Sequence, residues 1–177
     1  MIRSRVPLFV AAASATLLLA GCVGGGADPT PKPSPSDAPL FSSGEEALKA
    51  AEKAYQAYLD VSNALGASGW VDPSGLREVA TGNALKGDEE GAKDFASKGL
   101  KQLGSRTFDS MRVQSVSDSL TTYVCIDVSQ TDVVDQSGNS IVSADRPGRV
   151  PVVVTFDSVK EHLLLSESKT WSGENFC

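Results

Sequence analysis

The sequence predicts a segregated α+β domain, helices first and antiparallel strands after, and three observations carry that expectation. From Ser43 to about Leu103 the apolar residues recur at helical spacing. After Ser105 they alternate with polar residues, one in two, as a half-buried strand requires. The two patterns do not interleave, so the βαβ crossovers of a parallel sheet are missing.

Each element has its own signal. Ser43 with Glu46 three residues on has the form of a capping box, and Glu45 and Glu46 suit the positive end of a helix dipole. Leu48, Ala51, Tyr55, Tyr58 and Leu65 then mark one helical face, which Gly66 and Gly69 bring to a stop. Asp72-Pro73 reads as an N-cap with proline at the first helical position, opening a second helix with Leu76, Val79 and Ala80. A third runs from Asp88 to about Leu103 and presents Ala92, Phe95 and Leu100. Its opening Asp88-Glu89-Glu90 reads as a solvated start. Arg106 to Val116 is a less regular first strand. Leu120, Val124, Ile126 and Val128 alternate with Tyr123, Cys125 and Asp127 in the next. Asp135 to Asn139 is turn chemistry. Val150, Val152, Val154 and Phe156 form another alternating strand, and Leu163 and Leu165 belong to a last one ending near Trp171.

Ahead of this domain lie two segments of different character. Arg3 and Arg5 precede an uncharged apolar run, Val6 to Ala20, too short to span a bilayer comfortably and suited to a secretory signal. It closes on Leu19-Ala20-Gly21-Cys22, which resembles the bacterial lipobox. The resemblance implies cleavage before Cys22, a diacylglyceryl thioether on its thiol, and residence at the outer face of the cytoplasmic membrane. Two acyl chains hold where one would not. Residues 22–42 form a tether rich in glycine, serine and proline, with Pro29, Pro31, Pro33, Pro35 and Pro39. A polyproline II spacer fits this spacing better than an SH3-type ligand in that compartment, and its reach is at most roughly 60 Å. The organisation is thus signal 1–21, tether 22–42 and domain 43–177.

Composition excludes several classes. Once Arg3 and Arg5 leave with the signal, 14 basic residues face 22 acidic ones, a net charge of −8. A nucleic-acid footprint would be basic. One histidine, His162, and no Cys/His cluster exclude the usual zinc spacings, so no metal or other cofactor is expected. No nucleophile elbow or phosphate-binding glycine loop occurs.

The order of elements resembles the NTF2-like (SnoaL-like, cystatin-like) cone. Tyr123 to Val128, Asp145-Arg146-Pro147, and the closing Trp171-Ser172-Gly173-Glu174-Asn175-Phe176-Cys177 resemble envelope lipoproteins of high-GC Gram-positive bacteria. The resemblance implies N-terminal helices packed inside a bent antiparallel sheet of about four to five strands. It also permits a homodimer through the sheet, and it transfers no activity.

With Cys22 committed to lipid, Cys125 and Cys177 remain, and in an oxidising compartment they most simply pair. A reactive thiol is the alternative, disfavoured by the acidic neighbours Asp127 and Glu174. Tyr55, Tyr58, Trp70 and Trp171 are candidates to line the cone's mouth, against the plainer role of core residues with polar tips. Glu167 shares its strand face with Leu163 and Leu165 and is the one acid expected to point inward, whereas Asp127 and Asp157 fall on the polar face. No catalytic residue is assigned. Three functions are weighed. The one expected is a non-catalytic accessory domain binding an envelope protein through its sheet, and the other two are alternatives. The second is a binder of a small apolar ligand in the cone, and the third an acid–base enzyme. An exposed apolar sheet patch would mark the first, an enclosed pocket of about 300 Å³ or more with few polar groups the second, and a desolvated inward carboxylate beside a tyrosine the third.

Overall fold

A computed structural model describes residues 40–160 and 162–177. The expected signal segment, Cys22 and all but the last three residues of the tether lie outside the described residues.

Helix α1, Gly44–Ala67, begins where the sequence places it. Ser43 Oγ accepts from Glu46 N at 3.1 Å, and the Glu46 carboxylate accepts from Ser42 N at 2.8 Å and from its hydroxyl. These bonds hold the Glu46 carboxyl below its usual value. The buried stripe of α1 is Ala47, Ala51, Tyr55, Tyr58, Leu59 and Leu65. The expected second helix is a 3-10 helix, Pro73–Glu78, capped by Asp72 through Ser74 N at 3.0 Å. It stops early because Val79 and Thr81 pair with a strand instead. Thr81 N donates to Leu165 O at 2.8 Å, and Leu165 N to Val79 O at 3.0 Å.

The third helix is displaced from its expected span: α2 is Gly82–Ser97. Gly99, at φ +63°, ends it, and Leu100 N folds back onto Phe95 O at 3.1 Å. The chain then enters strand β1, Lys101–Leu103, which pairs only with β4, Asp132–Val134. Neither short strand has enough alternation to show in the sequence. Gly104, at φ +69°, turns from β1 into the main sheet, and a Cβ there would collide with the Gln130 carbonyl.

The main sheet is antiparallel in the order β2-β3-β5-β6, with β2 Thr107–Val116, β3 Ser119–Asp127, β5 Arg149–Val159 and β6 His162–Thr170. Three register shifts, two in β2 against β3 and one between β5 and β6, locally bend and twist it. Pro151 is tolerated in central β5 because its missing N–H faces the β6 side, where the ladder ends at Thr170. One sheet face carries Leu120, Val124, Val154, Phe156 and Leu165, all fully buried. Tyr55 stands edge-on to Phe108 and Phe156 there, with centroids 5.1 and 6.4 Å away.

Candidate functional site

Starting α2 at Gly82 turns its inner face. Leu85, Asp88, Ala92 and Phe95 now stand three, four and three residues apart, on the stripe that faces the domain interior. Asp88 is therefore no solvated helix start. It lies mid-helix, with Oδ2 buried and accepting no hydrogen bond. Burial pushes its carboxyl up, and the neighbouring Tyr58 hydroxyl and Arg106 guanidinium pull part of the way back. Burial likewise pushes Tyr58 and Tyr55 up, so both phenols stay protonated. Asn63 fixes Arg106: its Nδ2 donates to Arg106 O at 2.9 Å, and its Oδ1 accepts from Arg106 N at 3.0 Å.

Asp88 and Arg106 border an open hollow of about 240 Å³ under α2. Leu65, Trp70, Leu76, Ala92, Phe95, Val128 and Val133 supply its apolar wall, with Trp70 edge-on to Phe95 at 4.8 Å. Arg146 enters from the loop before β5, tied to Val128 O at 2.9 Å and Thr131 O at 2.6 Å. Gly87 and Gly91, one helical turn apart, are the α2 residues of its wall without a side chain, and a Cβ on either would meet no atom within 4 Å. Interior glycines cost a helix up to about 1 kcal/mol each against alanine. A second hollow, between α2 and β6, shares Gly87 and Asp88 with the first and adds Tyr58 and Glu167.

The four aromatic residues expected at the mouth, and Glu167, are not gathered round one opening, although Tyr55 and Tyr58 stack with centroids 5.8 Å apart. Tyr58 and Trp70 border the two adjoining hollows, and Tyr55 is core. Trp171 is on the opposite face of the sheet, edge-on to Tyr123 at 5.1 Å. It lies there because the tail folds back: Cys125 and Cys177 form a disulfide with Cα atoms 5.6 Å apart, and Trp171 Nε1 donates to Glu174 O at 3.1 Å. The bridge and tail explain why Cys125 is fully buried on the nominally polar face. Glu167 does not join Leu163 and Leu165 on the core face as its alternation suggests, and it borders the second hollow beside Tyr58 instead. The shift between Thr155 and Phe156 leaves Ser166 as an extra residue, so Glu167 pairs with Thr155. Its carboxylate meets Lys169 Nζ at 2.7 Å, and that bond holds it below the usual range. Asp127 accepts from Ser129 N at 2.8 Å and is lowered by that contact.

Because the Asp88 carboxyl is raised in the folded chain, the fold is penalised as pH climbs from the ordinary aspartate value through the raised one. Asp88→Asn should therefore increase stability at pH 7 to 8, and the gain should fade as pH drops to about 4. Urea unfolding at both ends of that range checks it; a gain that grows on acidification would contradict the sign.

No protein-family model and no curated protein matches the chain. Solved structures resemble it in fold. The intermembrane space region of the chloroplast protein ARC6 shares 14% identity at a TM-score of 0.52, covering 71% of this chain and 97% of that one. Aln2 from a Streptomyces species gives 17% identity, 68% and 87% coverage, and a TM-score of 0.43. A chain designated Rd1NTF2_05 gives 20%, 68% and 96%, and 0.35. The domain is α+β, with N-terminal helices against a four-strand antiparallel sheet, a fold it shares with the ARC6 intermembrane space region.

Proposed function

We propose that this chain is an extracytoplasmic lipoprotein, held at the outer face of the cytoplasmic membrane by lipidated Cys22, whose NTF2-like domain binds a small molecule in the cavity under α2. The observation that carries the reading is Asp88: a carboxyl group in an apolar-walled hollow, with one buried oxygen that has no hydrogen-bond partner among the described residues. Such a group costs stability, and alanine would fill the helix position without that cost. A costly polar group at such a position points to a site rather than to a core. The rival reading, an accessory domain docking through its sheet, has less support. The large exposed apolar residues, Val71, Leu103, Val116, Ile141 and Val159, come from five different segments. The disulfide-bound tail also covers part of the outer face.

The contact between Asp88 and Tyr58 favours a second reading, acid–base catalysis on the bound molecule. A desolvated Asp88 would exchange the proton, and the protonated Tyr58 would hold the developing negative charge by hydrogen bonding. Under that reading Asp88→Asn retains the ligand and loses turnover.

Native mass spectrometry of the protein released gently from its own membranes tests the binding function. A small-molecule adduct beyond the acyl chains is the expected result. Protein that carries none, and that responds to no member of a fragment panel, contradicts it. Location has its own test. Cys22→Ser should leave an uncleaved, unacylated precursor, because only the thiol accepts the diacylglyceryl group. A processed, acylated mutant would overturn the anchor.

A further inference from the structure

We infer that the cavity under α2 takes a small organic carboxylate with an apolar body, its anionic end lying between Arg106 and Arg146. This rests on the ligand-binding reading above and adds the chemical class. Three charged side chains border the hollow: Asp88, Arg106 and Arg146. Two are cations, and neither has a carboxylate within 4.0 Å among the described residues, whereas the exposed Arg77 and Arg149 each do. Arg106 is occupied by neutral acceptors, with Asn63 Oδ1 at 3.4 Å from its Nε. Arg146 spends one terminal nitrogen on two backbone carbonyls, which orients the guanidinium and leaves its charge uncompensated.

Guanidinium groups beside an apolar hollow are costly to desolvate without an anion, and carboxylate is the planar anion their fork matches. Asp88 is the single opposing acid on the lining, so the two guanidinium groups leave one positive charge in excess there. Trp70 and Phe95, edge to face on the wall, suit a ring or short branched chain. A cavity of about 240 Å³ admits a ligand of few heavy atoms and no polymer.

Calorimetry on the full chain in detergent, with benzoate, benzamide, benzyl alcohol and benzylammonium as probes, reads this directly. Benzoate should bind at least about tenfold more tightly than its neutral isostere benzamide, and Arg106→Gln should remove most of that preference. The probe comparison on the unaltered chain needs no variant, so a misfolded Arg106→Gln leaves the test intact. Equal affinity for benzoate and benzamide overturns the inference, as does preference for benzylammonium. If benzyl alcohol or benzamide binds better than benzoate and Gly91→Leu abolishes it, the cavity reading survives and the carboxylate assignment fails. If no probe binds the unaltered chain, the carboxylate assignment fails, and the native adduct decides the cavity reading.

Discussion

Cys177→Ser should lower the stability of the domain by about 2–5 kcal/mol, and Cys125→Ser by a similar amount, with the double variant no worse than the worse single. The bridge spans 52 residues, so its loss returns roughly 4 kcal/mol of loop entropy to the unfolded chain. The folded state loses as well. Without the bond nothing covalent holds the tail on the outer face, and Tyr123 gives up its edge contacts with Trp171 at 5.1 Å and Phe176 at 6.0 Å. Urea unfolding under non-reducing conditions measures the cost. Free thiols at both positions in protein from the oxidised compartment would remove the premise.

Phe156→Ala should cost about 3–5 kcal/mol. The side chain has no exposed surface, pairs in register with Leu165 and Leu120 across its two neighbouring strands, and meets the Tyr55 ring. Deletion leaves a void that β5 cannot close, because the strand is hydrogen-bonded on both sides. Phe156→Leu keeps most of the volume and should cost about 1–2 kcal/mol. Comparable losses for the two would mean that the ring is not packed as described.

The helical stripe of α1 and the strand alternation of β3 and β5 are legible in the sequence because each sets one continuous face against the same core. The disulfide is legible too, since assigning Cys22 to lipid leaves two cysteines. What the sequence hid follows from local physics. Asp88 was obscured by the Glu89-Glu90 run beside it, which imitates a helix start; only beginning the helix at Gly82 reveals Leu85, Asp88, Ala92 and Phe95 on one stripe. The 3-10 turn was obscured by a pairing no periodicity encodes, Val79 and Thr81 with Leu165. Glu167 was misplaced by a single extra residue, Ser166, which reverses the alternation behind it. Trp171 follows Cys177 to the outer face, and the pairing of the two cysteines gives no sign of which face that is.

The hollow under α2, as a ligand site, is tested most directly by Gly91→Leu. The new side chain would enter the space where a Cβ on Gly91 meets nothing within 4 Å, and replacing an interior glycine favours the helix by roughly 0.8 kcal/mol. The variant, compared with the unaltered protein by thermal unfolding and by native mass spectrometry from native membranes, should melt higher when ligand-free and carry no small-molecule adduct. A Gly91→Leu protein that keeps the adduct, or that melts lower when ligand-free, would contradict the account.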